Sequence, residues 1–337
     1  MRTLGGPDPQ IPKELADDAE QVQTTFLRGC LGLHACGGGI SNDAVRAETG
    51  CEPLADRWAK LKLGFWRRIF VAKEYRLLRI VATYRHAETC AAGPRGTQGW
   101  MPTARATLTK HGLAAAWANT QVATRTDREL WKEKVYTAVE TTSDGARRER
   151  MHSQPSTRLY RSIKDWDRTT TQYAFSSGEV GRLGRRTPER YLDDRRALKA
   201  TRLKLLCRLN CLELMERTGR QARPPWPRNA RTCPMCNQGE VEDVTHFITA
   251  CPAYGHHRNR LYTQVTRALT RRNLEPPFDH LSPRAQTKLL LGKRLGHART
   301  EDRIDALTKE FLKKAWNIRA PMAARIRAHM SPKCNPH

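Results

Sequence analysis

No stretch of this chain is apolar over enough residues to span a bilayer, and its first fourteen residues, MRTLGGPDPQIPKE, lack the apolar core of a secretory leader. The sequence therefore reads as a protein without a membrane segment, working inside a cell, nuclear or cytoplasmic, where thiols stay reduced. Acidic residues are scarce. Thirty-four Asp and Glu stand against 60 Lys and Arg, which leaves a net charge of +26 and a pI near 10.2. A core needs no such excess, and the field it creates attracts polyanions, of which nucleic acid is the commonest. Aromatic residues make up only 7%. No low-complexity tract and no fixed-period repeat is visible, so solenoids and largely disordered chains are set aside. Also missing are a Walker loop, an H-E-x-x-H helix and a nucleophile elbow, the signatures of phosphate-binding NTPases, zinc proteases and α/β-hydrolases.

What the chain does have is concentrated in residues 231–262, RTCPMCNQGEVEDVTHFITACPAYGHHRNRLY. Cys233 and Cys236, then His246, then Cys251 give a C-x2-C-x9-H-x4-C spacing. Two thiolates two residues apart can hold one ion from a tight turn. The second pair brackets an apolar stretch, residues 244–250, that reads as a short helix, so His246 and Cys251 can reach the same point from a little over one turn. Three sulfurs and one imidazole form a closed tetrahedral set, which suits structural Zn2+ and leaves no open position for catalysis. Glu240, Glu242 and Asp243 precede the helix, where carboxylates favour its positive end. His256 and His257 are rival ligands; His246 is preferred because it lies between the cysteine groups and closes the smaller loop. Cys30, His34 and Cys36 could be half of a second site, but no matching pair lies near them in sequence.

The run from Met215, MERTGRQARPPWPRNARTCPMCNQGEVEDVTHFITACPAYGHHRNRLY, resembles the zinc-binding region downstream of the polymerase in non-LTR (LINE-type) retrotransposon reverse transcriptases. Thr218, Gly219 and Arg220 match a helix ending in T-G-R. Cys233, Cys236, Glu242, Asp243, His246, Phe247, Cys251, Pro252, Tyr254 and Arg258 match the C-x2-C, E-D, H-F, C-P-x-Y and Arg that follow. More loosely, Ser41, Asn42, Ala44, Val45, Glu48, Gly50, Pro53 and Leu54, with Phe65-Trp66, resemble the segment between polymerase and zinc region, and residues 156–166 resemble a Y-x-x-x-K segment. The resemblance covers about residues 41–262 and is sharpest at 215–260. It implies a non-catalytic part of a reverse transcriptase polyprotein that grips RNA or DNA, with a reverse transcriptase domain encoded upstream as a possible partner. The candidate phosphate contacts are Arg217, Arg220, Arg223, Arg228, Arg231, Arg258 and Arg260, since a guanidinium offers two parallel donors to phosphate. Trp226 could stack on a base or pack beneath the metal loop.

The rest of the chain reads as mainly α, helical segments with a small zinc-stapled module near the C-terminal third. A helix is expected over 14–33. Ser41-Asn42-Asp43 caps another that Gly50 stops, and Pro53 opens a long one. On the long one Leu54, Trp58, Leu61, Phe65, Ile69 and Phe70 mark a face that Leu63, Trp66 and Val71 widen. Leu77, Leu78, Ile80 and Val81 continue the pattern. After a loop over 93–102, helices are expected over 104–118 and, from a Thr126–Glu129 capping box, over 127–141 with Leu130, Trp131, Val135 and Val139 buried. Four regions follow from this: residues 1–142 helical, 143–186 a basic linker, 187–275 a helix with the zinc module, and 276–337 C-terminal helices with a basic tail loose from Pro321. Thr187-Pro188-Glu189 opens a helix expected to end at Arg217 with Gly219 just beyond it, and Cys207 and Cys211 are read as buried thiols on that helix.

Two other functions compete with this reading. One is a zinc-dependent protein-interaction module whose charge serves solubility. The other is a nuclease or polymerase in its own right. For the latter, Tyr191-Leu192-Asp193-Asp194 spells the Y-x-D-D of reverse transcriptases, but its basic flanks predict a helix, on which adjacent aspartates point about 100° apart. Asp302 and Asp305 with Lys309 read as ordinary pairing on one helix face. No catalytic residue is assigned.

Overall fold

The computed structural model describes residues 13–36, 39–92, 99–164, 188–272 and 277–330. The protein is 75% helical, without strands among these residues, as the helical periodicity implies. No helix among them is long and apolar enough to cross a membrane. The described residues group into two compact units, one of 13–30 and 45–150 with Pro188, the other of 31–44, 151–164 and 189–330. The expected linker thus begins inside a helix. Residues 155–157 and 158–163 are helical as well, and 165–187 lie outside the described residues.

The first unit holds helices α1 (Lys13–Cys30), most of α2 (Asn42–Thr49), α3 (Leu54–Val71), α4 (Leu77–Ala91), α5 (Trp100–Lys110), α6 (Ala114–Ala118), α7 (Gln121–Thr124) and most of α8 (Arg128–His152). Gly50 ends α2 at φ +67°, a conformation that costs glycine nothing. The face of α3 that packs is Leu63, Trp66, Ile69 and Phe70. Leu61, Phe65 and Val71, expected on it, are exposed, as are Leu77, Leu78, Ile80 and Val81 of α4. Trp66 stacks on Trp131 at 6.2 Å, and Trp131, Val135 and Val139 repeat at four-residue steps along α8. Leu130 falls off that stripe and is exposed. The cap of α8 is Asp127, whose carboxylate accepts the amides of Glu129 and Leu130 at 2.8 and 3.3 Å. Thr126, the cap expected from the sequence box, spends its hydroxyl on the Val122 carbonyl instead. The helix expected over 104–118 starts earlier, at Trp100, and breaks at Gly112, where φ is +70°.

The second unit holds α9 (Arg158–Ile163), α10 (Leu198–Arg208), α11 (Met215–Gln221), α12 (Gly255–Thr270), α13 (Pro283–Leu290) and α14 (Ala298–Met330). The single helix expected over 187–217 is really several pieces. Two 3-10 turns, Arg190–Asp193 and Arg195–Ala197, precede α10, and Asn210 at φ +52° breaks the chain before α11. Asp194 caps the second turn through the Arg196 amide. Ser282 caps α13 in front of Pro283, its hydroxyl accepting the Ala285 amide. The spine is α14, which packs along α10 and α12 and contributes Ile304, Leu307, Phe311, Leu312 and Ala315 to the core. It does not stop near Pro321. It continues through that proline, with Ala323 buried beyond it.

Candidate metal centre

The first ligand pair lies on a short β-like turn. Thr232 and Val241 bridge in antiparallel fashion, the Cys233 amide donates to the Glu240 carbonyl at 2.8 Å, and the Glu242 amide to the Arg231 carbonyl at 3.0 Å. Gly239 closes the turn at φ +67°. The second pair lies on a wider helical turn than expected. Residues 246–250 form one π-turn, and the Cys251 amide donates to the His246 carbonyl at 2.8 Å. The wider π-turn, closed by that bond across five residues, brings His246 and Cys251 to one side, which suits their five-residue separation. Asp243 caps this turn through the His246 amide at 2.8 Å.

These two turns bring Cys233, Cys236, His246 and Cys251 together, with their ligand atoms all within 4.8 Å of one another. Cys233 and Cys251 place sulfurs 3.8 Å apart, and Cys236 sulfur lies 3.5 Å from His246 Nε2. A tetrahedral ion with bonds of about 2.3 Å to sulfur and ~2.0–2.1 Å to nitrogen has edges of roughly 3.8 Å between sulfurs and ~3.5 Å between sulfur and nitrogen. The donor set therefore fits a metal ion. His256 and His257 meet edge to face with ring centroids 5.5 Å apart and are not part of the set.

Cys233, His246 and Cys251 are buried. Burial pushes the Cys233 and Cys251 thiols well up and pulls the His246 imidazole down. Without a cation Cys233 and Cys251 hold their protons; a bound cation reverses that balance, and the neutral imidazole is already in its ligand form.

The frame around the ligands is a set of buried ion pairs and guanidinium–carbonyl bonds. Glu242 lies 3.8 Å from Cys233 sulfur and receives Arg319 through two bonds, 2.6 and 2.8 Å, with both side chains almost wholly buried. Its other partner is the Met215 amide at 2.8 Å, which ties α11 to the turn. Glu242 therefore serves the start of α11 rather than the turn at 246–250 that the sequence suggested. Arg258 donates to the Cys251 and Ala250 carbonyls at 2.8 and 3.3 Å, satisfying the open end of the π-turn. Tyr254 packs edge-on against Phe247 at 5.0 Å.

Gly219 lies inside α11, not beyond its end. A Cβ there would meet Arg231 at 2.7 Å and the Trp226 ring at 2.9 Å, so glycine is what lets the Pro-rich loop fold back onto the helix. The Trp226 amide donates to the Gly219 carbonyl at 2.8 Å, and Arg231 binds the Trp226 carbonyl and Glu216. Half-buried Trp226 thus packs on α11.

The arginines divide accordingly. Arg217 and Arg258 are buried and their guanidiniums are spent on carbonyls, those of Cys36 and Cys211 for Arg217. Arg231 is spent likewise. These three position the fold and do not offer free phosphate contacts, contrary to the sequence expectation. Arg223, Arg228 and Arg260 are exposed, and Arg220 is half-buried. Among the described residues Cys30, His34 and Cys36 form no second metal set. The Cys36 thiol is instead drawn down to about 6 by a hydrogen bond from Cys211 and the nearby Arg217 charge. Cys207 and Cys211 are buried, as expected. Of the residues that frame the metal set, Arg319 had no local signal, because its partner Glu242 lies 77 positions away.

Comparison with protein-family models, with curated proteins and with solved structures finds no match to this chain.

Proposed function

We propose that Cys233, Cys236, His246 and Cys251 bind a structural zinc ion, and that the module they staple belongs to a nucleic-acid-binding, non-catalytic segment of a LINE-type retrotransposon reverse transcriptase polyprotein. The observation that carries the metal assignment is the closed tetrahedral spacing of three sulfurs and one imidazole, the preferred field of Zn2+. Every ligand position is filled by protein, so the ion holds turns together and performs no chemistry on a substrate. The net charge of +26 supports a polyanionic partner, RNA or DNA. The resemblance of residues 41–262 to LINE-type sequences supports the polyprotein reading and an upstream polymerase domain as partner.

With the inward-facing guanidiniums removed from the interface, Arg223, Arg228 and Arg260 are the side chains to test, with Arg220 beside them. Replacing the three with alanine is expected to lower the salt slope of binding to a fluorescent RNA or DNA by up to about one unit for each phosphate no longer neutralised. Affinity that stays flat between low and high salt would favour the protein-interaction module instead. In a primer-extension assay with Mg2+ the purified chain is expected to be silent.

A further inference from the structure

A second site lies in the same unit, around the Y-x-D-D stretch that the metal centre does not use. A cavity of about 260 Å3 is lined by Tyr191 and Asp194 from the 3-10 turns, Lys204 and Arg208 from α10, the loop after α13 at Gly292 and Lys293, and the first turns of α14. Lys204, Arg208 and Lys309 have side chains that are almost completely buried. All three surround the Tyr191 ring, at 5.3, 5.0 and 5.8 Å from its centre.

Buried cations need counter-charge, and here it is shared. Asp305 serves both Lys204 at 2.6 Å and Lys309 at 2.8 Å. Glu189 serves both Arg208 at 3.2 Å and Lys164. Asp194, 3.2 Å from Lys309, is partly open to solvent and correspondingly weaker as a counter-ion. Arg190 pairs with Asp302 and Arg294 with Glu301 at the rim. Half-buried Lys293 meets no carboxylate among the described residues. Six basic and five acidic side chains line the cavity, and Lys164 behind Glu189 is a seventh cation. The lining itself is left with one positive charge in excess. Burial, with the neighbouring Arg208 and Lys309 charges, pulls the Lys204 ammonium down although Asp305 opposes it.

The floor is kept open by Gly292, at φ +105°. A Cβ there would stand 2.7 Å from an Arg208 nitrogen, and Arg208 itself is held to the Leu291 carbonyl. The cavity is smaller than the ~300–1,000 Å3 clefts that take drug-sized ligands, so a compact occupant fits better. A net positive lining around an ammonium without a carboxylate partner suits a compact oxyanion. Arg190, Arg208 and Arg294 are held by Asp302, Glu189 and Glu301, so the Lys293 ammonium is the donor left for an oxyanion.

We propose that this cavity binds a phosphate group, supplied by free phosphate or by the terminal phosphate of a nucleotide chain. The proposal does not depend on the zinc or the polyprotein reading. The test is titration of the full chain with inorganic phosphate, followed by amide NMR and thermal melting, against sodium chloride at matched ionic strength. Phosphate is expected to shift the Tyr191 and Gly292 resonances and raise the melting temperature where chloride does not. Lys293→Glu, at a half-buried position without an ion pair, should leave the fold intact and weaken phosphate binding about tenfold or more. Equal effects of phosphate and chloride, or an unchanged phosphate affinity in folded Lys293→Glu, would overturn the proposal. Once phosphate binding is established, 5′-phosphorylated and 5′-hydroxyl oligonucleotides distinguish the source. A preference for the phosphorylated end that Lys293→Glu abolishes assigns a nucleic-acid terminus, and equal binding assigns free phosphate.

Discussion

Arg319→Met tests the frame of the metal centre more sharply than any ligand substitution. The wild-type guanidinium lies between 2.6 and 2.8 Å from both oxygens of Glu242, with each side chain about 1% exposed. Methionine keeps much of the volume but leaves the carboxylate buried, with only the Met215 amide and the distant Cys233 thiol beside it. Removing one partner of a buried pair costs about 3–5 kcal/mol, because the remaining charge is uncompensated. For a unit of this size each kcal/mol lowers the melting temperature by roughly 2–4 °C, so a fall of about 6–20 °C is expected. The assay is urea or thermal unfolding with metal present at a fixed excess. Glu242→Leu combined with Arg319→Met should recover most of the loss, since two apolar groups leave no orphaned charge. A cost below about 1 kcal/mol for Arg319→Met alone would refute the reasoning.

Further predictions concern the ligands, the close-packed glycine and an acid-sensitive carboxylate. Cys236→Ser should lower bound zinc from one per chain towards none and unfold residues 231–262 locally, read by metal analysis and proteolysis; such ions contribute about 10–16 kcal/mol of apparent binding free energy to small modules. Gly219→Ala should destabilise the module by ~1–3 kcal/mol, measured by denaturation, because the new methyl meets Arg231 and Trp226. Burial alone would raise the Glu189 carboxyl, but the Arg208 and Lys164 charges outweigh it and hold the group down to about 2. Its folded pKa lies below the ordinary value of 4.5, so its stabilisation is complete above pH 4.5 and lost as pH falls towards 2. Wild type minus Glu189→Gln should therefore show a stability gap that narrows across that window, and a pH-independent gap would count against the pairing.

The convergence of Cys233, Cys236, His246 and Cys251 on one point was legible in the sequence because it depends on local geometry. A C-x2-C turn and a His and Cys five residues apart converge whatever surrounds them, given the Thr232–Val241 bridge and the π-turn. The helical class and the Gly50 stop were equally legible, since each is decided within a few residues. Tertiary packing decided the rest. The periodic patterns on α3 and α4 contained more apolar residues than the core could take, and only neighbouring helices selected Leu63 and Trp66 while leaving Leu61 and Leu77 outside. The end of α14 moved past Pro321, where Ala323 is buried and only one backbone bond is lost to the proline. Charge sign alone could not separate the inward guanidiniums of Arg217 and Arg258 from the exposed ones of Arg223, Arg228 and Arg260. Composition records how many cations a chain carries, whereas only the fold determines which carbonyls and carboxylates meet them.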